Sequence, residues 1–253
     1  MHKALDIIFE NQDLLVINKP AGLMVHPDGK SSEYTLADLI LKQYPELKGV
    51  GEPWLDPKGN TIYRPGIVHR LDKETSGVLL IAKSQEYFEF LKSKFKSREI
   101  QKEYRAIVYG SFSDNKKEGV INKKIGRSKK FGVFTVEPFA RGTLREATTR
   151  YKVLAQSGSK QDEGHAYVAV HPKTGRTHQI RVHLKSVQHP IVCDKLYAPK
   201  KECDLGMQRL ALHAYKISFK DTSGELLEFL APEPNDFKAA VELLQNKTDS
   251  KLV

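Results

Sequence analysis

The sequence predicts an α+β fold. Three observations lead there: strand-like runs of β-branched and aromatic residues recur along most of the chain, only a few segments carry helical spacing, and 253 residues with 40% hydrophobic content are enough to bury a substantial core. Strands are expected near Leu5 to Phe9 and Leu14 to Asn18, followed by a loop through Lys30 and a short helix from Leu36 to Gln43. A Gly/Pro-rich stretch from Pro45 to Gly66 leads into a loop flanked by Ile67 with Val68 and by Val78 to Ile81, both read as strands. Ser84 can cap a helix through about Ser97, with Phe88, Leu91 and Phe95 on its buried side. Further strands fit Lys102 to Tyr109, Val120 to Ile125, Ala147 to Leu154 and Ala166 to Val170. A helix N-capped by Thr177 follows, with Ile180, Leu184 and Val187 on one side and His178, Arg181 and Lys185 on another. Strands at Leu210 to Phe219 and Leu226 to Phe229 and a helix from Asp236 to Gln245 complete the reading.

Charge points to a polyanionic partner. Lys and Arg number 41 against 31 Asp and Glu, a net +10 with a pI near 9.4. The excess sits in the body: Lys116 to Lys130 carries a net +6, whereas Asp221 to Val253 carries −4. The basic run is either a solvated hairpin or a grip on phosphates. Cys193 and Cys203 form no C-x-x-C pair and are expected as reduced thiols in a cytoplasmic protein. No apolar run approaches the span of a membrane, and no zinc pattern clusters the His and Cys residues, so neither a membrane partner nor a metal is expected.

The densest chemistry lies in Pro65 to Lys83, PGIVHRLDKETSGVLLIAK. Gly66 and Gly77 bracket Asp72, Arg70 and Lys73 flank it with positive charge, and apolar segments anchor both ends. That arrangement presents a reactive carboxylate on a loop, although an Asp before Thr, Ser and Gly can also simply turn the chain. The order His-Arg-Leu-Asp-Lys is not that of a kinase catalytic loop. No G-x-G-x-x-G precedes it, and Asp236-Phe237 is followed by Lys238.

A second constellation is TGRTHQIRVHL at Thr174 to Leu184, and a third is KEYRAIVYG at Lys102 to Gly110. Together with INKPAGLMVHP at Ile17 to Pro27, PIVCDKLY at Pro190 to Tyr197 and RLALHAYKISF at Arg209 to Phe219, these segments make the chain similar to the RluA-type pseudouridine synthases over about residues 5 to 232. Cys193 departs from the pattern, since similar proteins usually carry Gly there.

The resemblance implies the pseudouridine synthase catalytic fold: a mixed, largely antiparallel sheet with flanking helices and a central cleft. Residues 1–232 would form a stand-alone catalytic domain without an S4 module, and 233–253 an acidic C-terminal extension. It implies isomerisation of uridine in structured RNA, rRNA or tRNA, by a cytoplasmic monomer. The N-glycosidic bond breaks, the base turns and the ribose is rejoined through carbon, so neither redox cofactor nor metal is required. Asp72 would be the essential carboxylate, acting on the ribose or assisting elimination to a glycal. Arg181 would be its ion-pair partner, Tyr104 would pack against the flipped ring, and Arg70 would enter the gap the base leaves. His69, Arg176, His178, Lys123, Lys124, Lys129 and Lys130 are the remaining candidates for RNA contact. Two other classes stay open at this level: a noncatalytic RNA-binding module that retains the fold, and a metal-dependent nuclease, for which no cluster of carboxylates is evident.

Overall fold

The computed structural model describes residues 4–27, 33–55, 59, 61–130, 132–158 and 164–249. The chain forms two compact units, 1–101 with 214–232 and 102–213 with 233–253. In chain order the first unit contributes β1 (Ile7–Glu10), β2 (Leu14–Lys19), α1 (Leu36–Gln43), the two-residue β3 (Trp54–Leu55) and β4 (Thr61–Ile62), β5 (Ser76–Ala82) and α2 (Gln85–Ser97). The second holds β6 (Gln101–Tyr109), β7 (Glu118–Asn122), β8 (Ile125–Arg127), β9 (Phe134–Val136), β10 (Arg141–Arg145), β11 (Thr148–Ser157), β12 (His165–Pro172) and α3 (Gln179–Ser186). β13 (Leu212–Lys220) and β14 (Leu226–Leu230) return to the first unit from Ala214 onward, and α4 (Asn235–Asp249) closes the second.

In the first unit the sheet runs β1-β2-β5-β13, with β14 on β13, and the ladders β1–β2, β2–β5 and β13–β14 are antiparallel. β5, SGVLLIA, is buried along its whole length, as a central strand covered on both faces should be. Helix α1 starts where Thr35 accepts from the Asp38 backbone and Asp38 answers to the Thr35 N–H, a reciprocal cap. Ser84 caps α2 as the sequence indicates, and Phe88 and Leu91 are buried beneath it. One expectation fails here. Ile67 makes a single bridge to Ile81 rather than a strand, so Asp72 is anchored by a ladder on its C-terminal side alone.

Two glycines hold that anchorage. Gly77 has φ +117°, and a Cβ there would stand 2.2 Å from the Ala214 carbonyl oxygen; at Gly66, φ +60°, it would stand 1.9 Å from that of Ala82. Because both clashes are with backbone, no side chain can move to relieve them. Gly77→Ala is therefore expected to destabilise the fold by about 3 kcal/mol, combining overpacking with left-handed strain, and to lower the urea midpoint. A wild-type midpoint would contradict this account of the turn.

The second unit is built on a sheet in the order β6-β12-β11-β7, with antiparallel ladders, and a three-stranded sheet in the order β10-β8-β9. The single strand expected from Val120 to Ile125 is thus two, β7 and β8, interrupted at Lys123 and Lys124. β10, RGTLR, is exposed at every position, which is why no period-two alternation marked it. α4 buries Phe237, Ala240, Val241 and Leu244 in a core shared with Ile107, Val168 and Leu184, so the segment beyond residue 232 packs as part of this unit.

The cysteines correct a second expectation. Cys193 and Cys203 are joined by a disulfide with their Cα atoms 4.7 Å apart, because the turn after β12 and α3 brings the two positions back together. Cys193 has φ +58°, the left-handed conformation that glycine adopts without penalty, so the chain keeps that backbone with a different residue.

Candidate active site

Asp72 lies in the first unit, half-buried, on a loop whose backbone is pinned from several directions. Its carbonyl accepts from Thr75 N at 3.1 Å, and the next carbonyl, that of Lys73, accepts from Gly22 N at 2.8 Å. The Lys19 ammonium, on a fully buried residue at the end of β2, donates to the carbonyls of Pro20 (2.7 Å), Leu23 (2.8 Å) and Lys73 (3.2 Å). These carbonyl oxygens satisfy the donors of a buried cation, and the bonds tie the Lys-Pro-x-Gly loop to the Asp72 loop. His69 braces the same loop: its Nε2 accepts from Leu80 N at 2.9 Å and its ring stacks on Phe95 at 4.8 Å. Arg70 is exposed beside His26, whose Nε2 is 3.4 Å from its Nη1, and burial with the nearby Arg70 charge holds His26 below the ordinary histidine value.

Tyr104 and Arg181 lie in the second unit. Tyr104 is on β6 opposite Val170 of β12, half-buried against the core. Lys102, two residues earlier and so on the same face of the strand, is drawn down to about 8 by burial. Arg181 is held in α3 by a carboxylate that sequence reading missed. Its Nε donates to Asp194 Oδ2 and its Nη2 to Oδ1, both at 2.8 Å, while Oδ1 also accepts from Leu196 N and Tyr197 N at 3.1 and 3.0 Å. The Tyr197 ring lies 5.0 Å from the same guanidinium. A bidentate fork on a fully buried carboxylate fixes both the position and the plane of Arg181.

The rest of the Thr174 to Leu184 motif orients the helix. His178, with φ +55° and no side-chain cap bond, occupies the N-cap in place of the expected Thr177. Gln179 takes over the cap's task, its Oε1 accepting from Arg176 N (3.0 Å) and Thr174 Oγ1 (2.7 Å). Gln179 Nε2 donates to Thr149 Oγ1, whose hydroxyl reaches His183 Nδ1 at 2.8 Å, and His183 Nε2 reaches the Lys123 carbonyl at 3.0 Å. Every member of this buried chain has a partner, so it locks α3 onto β11.

The Lys123 carbonyl makes Nε2 of His183 a donor, and in the neutral ring Nδ1 accepts from the Thr149 hydroxyl. Burial accordingly holds His183 below its ordinary 6.5. With a lowered folded value, the unfolded state takes up the proton first, so this stability is present above about pH 6.5 and is lost as pH falls further. The urea midpoint should drop between about pH 8 and pH 5.5, and less so in His183→Gln. Equal drops in both proteins would remove His183 from the account.

The remaining RNA candidates also belong to the second unit. Arg176 donates from Nε to the Glu146 carbonyl, His178 Nδ1 lies 2.9 Å from Tyr197 Oη, Lys123 reaches the Ser186 carbonyl at 3.3 Å and Lys124 pairs with Glu146 at 3.2 Å. Lys129 and Lys130 are exposed in the β8–β9 connection. Among the described residues no group of three or more His, Cys, Asp or Glu side chains is arranged to hold a metal ion.

Residues 13–186 match the family model described as RNA pseudouridylate synthase, a span containing Asp72, Tyr104 and Arg181. The chain belongs to the RNA pseudouridylate synthase family. An uncharacterized RNA pseudouridine synthase of Synechocystis is 36% identical over 96% of this chain and 70% of its own length. The ribosomal large subunit pseudouridine synthase D of Vibrio parahaemolyticus is 34% identical over 97% of this chain and 72% of its own. Human RNA pseudouridylate synthase domain containing 1, at 24% identity, has the same fold, with a TM-score of 0.72 over 95% of this chain and 90% of that one. The chain is thus an RNA pseudouridine synthase and an isomerase, on the α+β fold its sequence indicates. In this pseudouridine synthase the buried partner of Arg181, Asp194, lies beyond the matched span.

Proposed function

We propose that this isomerase modifies uridines in large-subunit ribosomal RNA, with Asp72 as the reacting carboxylate. The observation that carries the reading is the presentation of Asp72: a half-buried carboxylate on a loop pinned by Lys19, Gly22 and Thr75 and bracketed by two glycines that admit no side chain. A carboxylate held in that way can act as nucleophile or charge stabiliser beside a ribose without reorganising. Arg181, its plane fixed by Asp194, is the cation of the reaction in this reading. The Tyr104 ring packs on the extruded base, and exposed Arg70 takes the vacated place in the stack, offsetting part of the few kcal/mol that unstacking costs. Lys123, Lys124, Lys129 and Lys130 attract the phosphates. Because no atom is gained or lost, the step needs no redox partner.

Similarity to chains named for the ribosomal large subunit, such as that of Neisseria meningitidis at 37% identity, favours rRNA over tRNA. The enzyme would act as a monomer in the cytoplasm. Among the described residues no helix is long and apolar enough to cross a membrane. Incubation of the purified chain with large-subunit rRNA and, separately, with tRNA tests the reading. Pseudouridine in the rRNA is the expected product. Pseudouridine confined to tRNA would move the target, unchanged RNA would favour a noncatalytic binding module, and cut RNA would favour a nuclease.

A further inference from the structure

Two arginines are paired across a strand ladder. Arg127 of β8 and Arg141 of β10 are register partners in an antiparallel ladder, and both are exposed. Side chains so paired start about 5 Å apart, where like charges destabilise the sheet. Neither makes an ion pair or side-chain hydrogen bond among the described residues. The two carboxylates of this segment are turned elsewhere: Glu146 pairs with Lys124, and Glu137 lies against the Lys124 backbone and contributes to the same lysine's field. A chain that could have placed a carboxylate opposite Arg127 keeps a second guanidinium there, an arrangement suited to an anion arriving from outside.

The row continues. On its other side Arg127 is the register partner of Phe134 in β9, whose ring meets the edge of His178 at 5.9 Å. Phe134 N donates to Tyr197 Oη at 3.1 Å, and Tyr197 is the ring lying 5.0 Å from Arg181. Cationic, cationic, aromatic, aromatic: the order passes over three adjacent strands, about 10 Å at the usual strand spacing, and stops at the N-terminus of the helix that carries Arg181. Guanidinium forks match phosphate oxygens in pairs, and aromatic rings accept unstacked bases of any sequence.

We propose that Arg141, Arg127, Phe134 and His178 form a site for an unpaired stretch of the RNA substrate. The two guanidiniums clamp a backbone phosphate and the rings receive the neighbouring base. The inference rests on the reading of the chain as an enzyme acting on RNA, and it assigns the specific grip to the arginine row, which the lysines of the basic run only supplement.

Arg127→Glu tests it, because the substitution puts opposite charges across the ladder. As a fold it should be as stable as the wild type or more so, with an unchanged or higher urea midpoint. As an RNA binder it should fail: affinity for an unpaired uridine-containing RNA should drop about tenfold or more, and the slope of log affinity against log salt should flatten by about 1.4, two contacts at roughly 0.7 each. Should Arg127→Glu lose its fold, Arg127→Gln is measured in its place, with the same direction and about half the change in slope. Wild-type affinity and slope in the folded variant would overturn the proposal, and so would loss of stability with affinity retained. Pseudouridine formation by the wild-type chain is scored in parallel; its absence would refute the catalytic reading while leaving the binding result to stand or fall alone.

Discussion

Asp72→Asn is expected to abolish isomerisation while leaving RNA affinity within a few fold. The substitution preserves size and removes charge, and the loop's backbone is pinned by Lys19 on Pro20, Leu23 and Lys73, by Gly22 N on the Lys73 carbonyl, and by Thr75 N on the Asp72 carbonyl. The geometry should therefore survive, and only the ability to attack or stabilise a developing positive centre is lost. Removing a reacting group lowers turnover by roughly a thousandfold or more. Single-turnover reactions at saturating enzyme, with product counted as pseudouridine, separate chemistry from binding. Near-normal single-turnover rates would remove Asp72 from the chemistry.

Asp194→Ala should have the next largest effect, at a residue that touches no substrate in this reading. Arg181 is nearly buried and Asp194 fully so, and deleting one member of such a pair leaves a charge without its fork. The cost to folding is about 3 to 5 kcal/mol, visible as a lower urea midpoint. Turnover should suffer independently of stability, because a guanidinium displaced by an ångström costs about a hundredfold in rate. Asp194→Asn separates the two effects: the amide oxygen still accepts from Leu196 and Tyr197, so the turn persists, while the charge that orients Arg181 is gone. A folded Asp194→Asn protein should thus show reduced kcat with KM for RNA little changed. Full kcat in that variant would reduce Asp194 to a turn-former.

Much of the local structure was legible because its causes are local. Helix α1 runs from Leu36 to Gln43 as expected, and Ser84 starts α2, because caps and apolar spacing act within a few residues. The Asp72 loop declared itself by Gly66 and Gly77, and their role follows from clashes with Ala82 and Ala214 that any side chain would create. Thr177 failed as an N-cap for an equally local reason that residue preference does not encode: Gln179 satisfies Arg176 N from inside the helix, and His178 takes the left-handed turn. β10 was hidden because exposed residues carry no alternation.

By itself, the sequence determined the family, the reaction class and the candidate carboxylate, since these are written in contiguous motifs whose residue types the chemistry demands. Tertiary structure decided who holds whom. Arg181 and Asp194 stand 13 positions apart, Cys193 and Cys203 are bonded through a turn, and burial between α3 and β11 holds His183 below its ordinary value while Thr149 and the Lys123 carbonyl bond its two ring nitrogens. Arg127 meets Arg141 only because β8 and β10 align in one register. Such pairings arise from long-range packing, in which a partner is chosen by position in space and burial sets the strength of the bond, and no spacing along the chain specifies either.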